Sequence, residues 1–131
     1  MNIVMIDSAQ LVGEADFPGV NLPKFSWLQF LSLDEEEIED RCWRSDIVIS
    51  VNAPITAQFI KETYKLQLIV AAGDSTNHID KVAAKERGVI ICNVPGLTGD
   101  EATNTQKICV QVVDNINAWL EQKAVNVVSA G

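Results

Sequence analysis

The chain has 131 residues, a length that predicts a single domain with its own hydrophobic core. Hydrophobic residues make up 47% and charged residues 21% of the chain, which is typical of a globular protein rather than a disordered one. The net charge is −8, and phosphate contacts need a basic face, so nucleic-acid binding is not expected. Much of this charge lies in the run Asp34 to Asp40, which is interpreted as a solvated helix face.

No apolar run is long enough to predict a membrane span, and the N-terminal residues lead directly into a strand pattern rather than a signal peptide. The three cysteines, Cys42, Cys92 and Cys109, each stand among apolar neighbours and share no metal-ligand spacing. We therefore predict reduced thiols in the core and a cytoplasmic protein.

The first half of the chain predicts three strands and one helix. The strands are expected at residues 2–6, from Trp27 to near Leu33, and at residues 46–51. Asp34 is the predicted N-cap of the intervening helix, because an acidic first turn favours the positive end of the helix dipole. The apolar face of this helix is predicted to consist of Ile38, Cys42 and Trp43.

The second half continues the alternation of helices and strands. Strands are predicted at residues 66–72 and 89–94, and helices at residues 56–65, 81–87 and 101–123. Thr56 is the predicted cap of the first of these helices, and Gly88 ends the second. Thr98 and Glu101 have the spacing of a capping box for the last one.

Short buried strands that alternate with helices require crossover connections, which give a parallel sheet covered on both faces. We therefore predict an α/β, doubly wound, five-stranded parallel sheet of order 2-1-3-4-5, closed by a long C-terminal helix. Ligands of such sheets bind beyond the carboxyl ends of the strands. The loops at that edge begin at Asp7, Val51, Gly73 and Asn93.

Three familiar occupants of this edge do not fit the sequence. The loop after the first strand, "DSAQLVGE", is a poor phosphate loop for a flavin mononucleotide. Asn52 and Asn93 stand where a phospho-accepting receiver needs an acidic residue and a lysine. No glycines have the G-x-G-x-x-G spacing that binds a dinucleotide.

The loop "AAGDSTNHID" is the main candidate for binding. Backbone amides near Asp74, Ser75 and Thr76 could hold a small carboxylate at a helix start. The alternative is an ordinary helix start in which Thr76 or Asn77 is the cap. His78, the only histidine, is interpreted as a structural or surface group.

A second polar loop on the same edge, "NAPIT", runs from Asn52 to Thr56. Its alternative interpretation is a helix start bounded by Pro54.

Three stretches resemble the D-isomer-specific 2-hydroxyacid dehydrogenase family, and its glycerate dehydrogenase or hydroxypyruvate reductase branch in particular. They are "DIVISVNAPIT" from Asp46, "LQLIVAAGDSTNHIDKVAAKERGVIICNVPG" from Leu66, and the tail "VVDNINAWLEQKAVNVV". The resemblance implies a flavodoxin-like substrate-binding domain over residues 1–131. In the family an NAD(P)-binding Rossmann domain is inserted after a segment like "NVPG". Here residues 96–100, the connector, lead directly to the last helix, so the resemblance implies that the Rossmann domain is missing.

The resemblance also bears on the site residues. The family's catalytic arginine, acid and histidine lie in or beside the inserted domain, so no catalytic residue, no cofactor site and no metal site is expected in this chain. The substrate carboxylate would bind the backbone amides of Asp74, Ser75, Thr76 and Asn77, with Ser75 where the family usually has glycine. Asn52 is a weaker candidate for lining the cleft.

The expected function is therefore that of an isolated, engineered substrate-binding domain of an oxidoreductase, inactive by itself. Two alternatives from other classes are a weak binding module for small 2-hydroxy or 2-oxo acids and a self-associating structural domain. Self-association would use the former interdomain surface or a swapped C-terminal helix.

Overall fold

A computed structural model describes residues 1–128 of the chain. The strands are β1 (Asn2–Met5), β2 (Ser26–Gln29), β3 (Ile47–Ser50), β4 (Leu68–Ala71) and β5 (Ile90–Cys92). The α-helices are α1 (Glu35–Cys42), α2 (Ala57–Glu62), α3 (Lys81–Arg87) and α4 (Ala102–Leu120). A short 3₁₀ helix, Ser8–Gln10, follows β1.

The five strands form one parallel sheet of order β2-β1-β3-β4-β5, as predicted. Ile3 of β1 is level with Ile47 of β3, which is level with Leu68 of β4. Because all strands run the same way, the loops after β1, β3, β4 and β5 lie together at the carboxyl edge of the sheet.

Alternate residues of each central strand pack into two separate halves of the core, since successive side chains of a strand point to opposite faces of the sheet. Val4, Val48 and Ile69 pack on the face covered by α1, α2 and α3. Ile3, Ile47 and Leu68 pack on the face covered by α4. The buried face of α4 consists of Thr105, Ile108, Cys109, Val112, Val113, Asn115 and Ile116.

Local signals predicted several helix ends correctly. The capping box of α1 is present, with the Glu37 amide donating to Asp34 at 2.8 Å and the Asp34 amide donating to Glu37 at 3.1 Å. Thr56 caps α2, and Gly88 ends α3 in the left-handed conformation with φ +69.

Two predictions in the first half are wrong. β2 ends at Gln29 instead of near Leu33, because its partner β1 ends at Met5 and the chain then turns into the 3₁₀ helix. The carbonyls of Phe30 and Leu31 accept from the amides of Ser8 and Ala9 in that helix instead of continuing the strand pairing. Trp43 does not belong to the apolar face of α1: it lies just after the helix, is 40% exposed, and stacks with the Arg44 guanidinium 4.5 Å from its ring.

The predicted capping box of the last helix is also wrong. Glu101 is the N-cap of α4 but makes no side-chain cap, and the Thr98 hydroxyl donates to Asp100 instead. The carbonyls of Leu97 and Gly99 accept from the amides of Asp74 and Val12, so tertiary contacts hold this segment outside the helix. The helix also ends at Leu120, before the predicted Lys123.

The three cysteines are buried and free, as predicted. Burial raises the pKa of each thiol to about 11, because the charged thiolate is disfavoured away from water. Within residues 1–128, no group of three His, Cys, Asp or Glu side chains is placed to hold a metal ion. In the same part of the chain, no helix is both long and apolar enough to span a bilayer.

Candidate functional site

Asp7, directly after β1, fills a nest of amides at the carboxyl edge. Its carboxylate is almost fully buried and accepts from the amides of Val51 at 2.8 Å, Asn52 at 2.9 Å and Ala53 at 2.8 Å. These amides are therefore occupied by the protein's own anion. Asp7 was predicted only as the first residue of a loop, because the amides that bind its carboxylate lie 44 to 46 residues away in the chain.

Asn52 lies at the same edge with its side chain exposed. Its Nδ2 donates to Oε1 of Gln10 at 3.1 Å. The side chain therefore bridges the loop after β3 to the 3₁₀ helix after β1.

The loop after β4 is held by the segment that follows β5. The amide of Asp74 donates to the Leu97 carbonyl at 2.8 Å, and the Asp74 carboxylate accepts from the Gly96 amide at 2.8 Å. The Asp74 amide, one of the predicted ligands for a carboxylate, is therefore already bonded. The Asp74 side chain is exposed and places a carboxylate on this loop.

The next two backbone amides are different. Within residues 1–128, the amides of Ser75 and Thr76 donate no hydrogen bond. The amide of Asn77 donates to Oγ of Ser75 at 3.3 Å, so it too is engaged. Of the four predicted residues, Ser75 and Thr76 thus offer two neighbouring free donors, called the amide pair below.

The start of α3 is separate from the amide pair. Asp80 caps this helix, with the Ala83 amide donating to its carboxylate at 2.9 Å. Neither Thr76 nor Asn77 is the cap, which corrects the alternative prediction. The Lys81 ammonium donates to the Thr76 carbonyl at 2.8 Å, so a cation braces the loop from the side of α3.

The residues after β5 join the same assembly. Asn93 donates from Nδ2 to the Asp74 carbonyl at 2.9 Å, and the Val94 amide donates to the Gly73 carbonyl at 2.9 Å. The loop after β4 and the exit of β5 therefore form one hydrogen-bonded unit.

His78 links the loops after β3 and β4 through its backbone, since the Ile55 amide donates to the His78 carbonyl at 2.9 Å. Its ring is half-buried, and within the described residues Nε2 is buried with no partner. Burial lowers the pKa of His78, while the Ser50 backbone and the Asp7 carboxylate act in the opposite direction.

The arginines lie elsewhere. Arg87 donates to the Tyr64 carbonyl at 3.0 Å and lines a cavity of about 880 Å³ beside Asn2 and Gln67, where strands begin. The Arg44 carbonyl accepts from Asn2 at the same end of the sheet. Arg41 packs over the Phe30 ring at 6.0 Å. No arginine among residues 1–128 is bonded to the loop that carries the amide pair.

Comparisons with known proteins agree on one family. Residues 9–129 match the family model of the D-isomer specific 2-hydroxyacid dehydrogenase catalytic domain. A protein of Haemophilus influenzae named as a 2-hydroxyacid dehydrogenase is 29% identical over 96 residues, which are 73% of this chain and 30% of that protein. Glycerate dehydrogenase of Methylorubrum extorquens is 34% identical over 59 residues, which are 45% of this chain and 19% of the enzyme.

Solved structures share the fold. The NAD⁺-bound 3-phosphoglycerate dehydrogenase of Entamoeba histolytica superposes with a TM-score of 0.58 at 23% identity, over 73% of this chain and 33% of that one. A protein of Thermus thermophilus gives a TM-score of 0.59 at 21% identity, over 73% and 31% of the two chains. This chain thus spans about a third or less of the length of these four proteins. Since the family model covers nearly the whole chain, the protein belongs to the D-isomer specific 2-hydroxyacid dehydrogenase family and corresponds to its catalytic domain.

Proposed function

We propose that this chain is a substrate-binding domain that holds the carboxylate of a small 2-hydroxy or 2-oxo acid. The observation that supports this is the amide pair: two neighbouring unbonded N–H groups of Ser75 and Thr76, at the ligand edge of a doubly wound sheet. An anion bound by these donors would accept charge-assisted hydrogen bonds, which are stronger than neutral ones.

The affinity should be weak. The Asp74 carboxylate lies beside the amide pair and repels an anionic ligand, and the Asp74 amide is already bonded to Leu97. We expect a dissociation constant of about 1 mM or higher, which corresponds to roughly 4 kcal/mol of binding free energy.

The proposed class of substrate is supported by the family and by the glycerate dehydrogenase of Methylorubrum extorquens among the relatives. Glyoxylate, hydroxypyruvate and glycerate are therefore the compounds to titrate while the amide resonances are followed by NMR. Shifts centred on Ser75 and Thr76 support the proposal, and an unchanged spectrum at these residues would reject it. Acetamide, which is similar in size but uncharged, is the matched control ligand.

Hydride transfer needs a nicotinamide cofactor, and enzymes of the family use NAD(P) for this purpose. The residues present do not fit a dinucleotide. The nest of Val51, Asn52 and Ala53 amides is filled by Asp7, and the glycines lack the phosphate-binding spacing. We propose that the cofactor belongs to a separate domain and that this chain alone does not catalyse the reaction.

The assay for this part of the proposal is NADH or NADPH oxidation by the pure chain with hydroxypyruvate or glyoxylate. No turnover above the rate without protein is the expected result. Turnover that co-purifies with the chain through a second chromatographic step would contradict it.

The connector at residues 96–100 is proposed to mark where longer family members carry the cofactor domain. An engineered origin of such a deletion stays a prediction, which the length of the parent gene would test. A cytoplasmic location and self-association through the former interdomain surface or a swapped α4 likewise stay predictions. Light scattering at high protein concentration tests the last of these, because a strict monomer would contradict it.

A further inference from the structure

A buried asparagine on α4 connects three parts of the chain. Asn115 is 0% exposed, and both ends of its side-chain amide are bonded. Its Nδ2 donates to the Asn93 carbonyl at 2.8 Å. Its Oδ1 accepts from Gln111 at 2.8 Å and from Asn126 at 2.9 Å. A buried amide with three partners fixes their relative positions, because breaking one bond leaves a polar atom unpaired away from water.

Asn93 carries this connection to the candidate site. Its amide donates to the Asn126 carbonyl at 3.1 Å, and its Nδ2 donates to the Asp74 carbonyl at 2.9 Å. Asn93 is therefore bonded to Asn115 and Asn126 on one side and to the loop after β4 on the other. Asn93, Asn115 and Asn126 are called the asparagine network below.

The contact with Asp74 bears directly on the amide pair. The carbonyl of Asp74 and the N–H of Ser75 belong to the same planar peptide group, in which they point in opposite directions. A donor that fixes the Asp74 carbonyl therefore fixes the direction of the Ser75 N–H. The Asp74 amide, held by Leu97, fixes the preceding peptide in the same way.

The C-terminal segment is part of this arrangement. Asn126 has a left-handed backbone with φ 54, and the next residue, Val127, forms an antiparallel bridge with Cys92 at the end of β5. The Val128 amide donates to the Ile91 carbonyl at 2.8 Å. The segment thus lies along β5 and presents the Asn126 side chain to Asn115, which completes the asparagine network.

We propose that Asn93 and Asn115 are positioning residues that orient the Ser75 N–H for a carboxylate ligand. Asn93 acts on the Asp74–Ser75 peptide, and Asn115 acts through Asn93. This inference rests on the proposed function of the amide pair and extends it to residues that touch no ligand.

The test compares Asn115→Asp with Gln111→Ala. Asn115→Asp has nearly the same shape and keeps an acceptor for Gln111 and Asn126, but it places an oxygen against the Asn93 carbonyl. Gln111→Ala removes one bond at the same side chain and leaves the bond to Asn93 intact. Asn93→Ala, at a half-buried residue, provides a second variant that removes the contact with Asp74 itself.

In the ligand-free protein, we expect the Ser75 amide resonance to move in Asn115→Asp and in Asn93→Ala but not in Gln111→Ala. Asn115 has no hydrogen bond to Ser75, so a shift there reports a change relayed through Asn93. Glyoxylate affinity should fall about tenfold in the first two variants, a factor that corresponds to about 1.4 kcal/mol. It should stay within about twofold of the parent chain in Gln111→Ala, whose lost bond lies on the far side of Asn115.

Two outcomes overturn the proposal in distinguishable ways. A Ser75 resonance and a glyoxylate affinity that stay unchanged in Asn93→Ala, in a parent chain that binds glyoxylate, would overturn the positioning role alone. A parent chain that shows no shift at Ser75 and Thr76 with glyoxylate would overturn the proposed function, and the positioning role with it. Equal losses of affinity in Asn115→Asp and Gln111→Ala would indicate a general packing effect and would also count against the proposal.

Discussion

The Asp74 carboxylate accepts a hydrogen bond from the Gly96 amide at 2.8 Å across the carboxyl edge of the sheet. This contact ties the loop that carries the amide pair to the first residue of the connector. It also fixes a negative charge beside the two free amides. Asp74 thus stabilises the shape of the candidate site while it opposes the binding of an anion there.

Asp74→Asn separates these two effects. Asparagine keeps an oxygen for the Gly96 amide and removes the charge, so a carboxylate ligand should bind more tightly. Two charges about 4 Å apart in water repel by roughly 1 kcal/mol, which predicts an increase in glyoxylate affinity of about fivefold. An NMR titration measures this, with Asp114→Asn on the exposed side of α4 as the control. Equal affinities of Asp74→Asn and the parent chain would show that the ligand does not bind next to Asp74.

Asp7 should be a main stabilising residue of the carboxyl edge. Asp7→Ala leaves the amides of Val51, Asn52 and Ala53 without their acceptor. The Ala53 amide is buried and the other two bonds are part-buried, so the unpaired donors are costly. We expect the free energy of unfolding to fall by roughly 3 kcal/mol, measured by urea denaturation. Asp7→Asn keeps one acceptor oxygen, so its free energy of unfolding should lie between those of Asp7→Ala and the parent chain. Asp114→Asn, an exposed change, should stay within about 0.5 kcal/mol. A similarly small effect of Asp7→Ala would mean that the three amides are satisfied in another way.

Glycine is required at position 88 because of the left-handed backbone conformation there, and not because a side chain would clash. Its φ is +69, and a Cβ built there would meet nothing within 4 Å. Gly88→Ala should therefore lower the free energy of unfolding by about 1 kcal/mol, the strain of an L-residue in the left-handed region. Gly19 has equally open surroundings without the left-handed φ, so Gly19→Ala should leave stability unchanged or raise it slightly. Equal effects of the two substitutions in thermal or urea unfolding would contradict the prediction.

His78 should make stability depend on pH in the acid range. Its pKa in the folded protein lies below the ordinary value of 6.5, because burial disfavours the charged ring. The unfolded chain then binds the proton more readily than the folded one, so stability falls as the pH drops below about 6.5. His78→Gln should flatten this part of the profile of unfolding free energy against pH. A variant whose slope between pH 5 and 6.5 equals that of the parent chain would rule out His78 as its source.

The buried thiols should make the free energy of unfolding fall as the pH rises in the alkaline range. The pKa of each of Cys42, Cys92 and Cys109 is raised to about 11 in the folded protein. The folded state therefore holds these protons more tightly, and stability should be lost as the pH rises above 9, the ordinary pKa of the thiol.

At pH 8 the native chain should react with a thiol reagent only at the rate of unfolding or local opening. Rapid modification of a cysteine under these conditions would show that the thiol is accessible.

The strand order and several helix ends could be predicted from local sequence patterns. Strand order follows from short apolar runs separated by helices, because parallel strands need crossover connections. Asp34, Thr56 and Gly88 act within one turn of their own helix, so a few neighbouring residues suffice to predict them. The loop that contains Ser75 and Thr76 was found in the same way, from its place between a strand and a helix.

Which polar groups at that edge remain free depends on contacts between distant segments of the chain. Asp7 meets amides 44 to 46 residues away, and Asn115 meets Asn93 across 22 residues. These partners depend on which strands are neighbours and on the path of each loop, which no local pattern contains. The prediction of a Thr98 cap was wrong for the same reason. Carbonyls of the connector accept hydrogen bonds from distant amides, and these bonds hold the connector outside α4. Hydrogen bonds within one turn depend on neighbouring residues and can be predicted from them. The hydrogen bonds of this site form only when the sheet brings distant segments together.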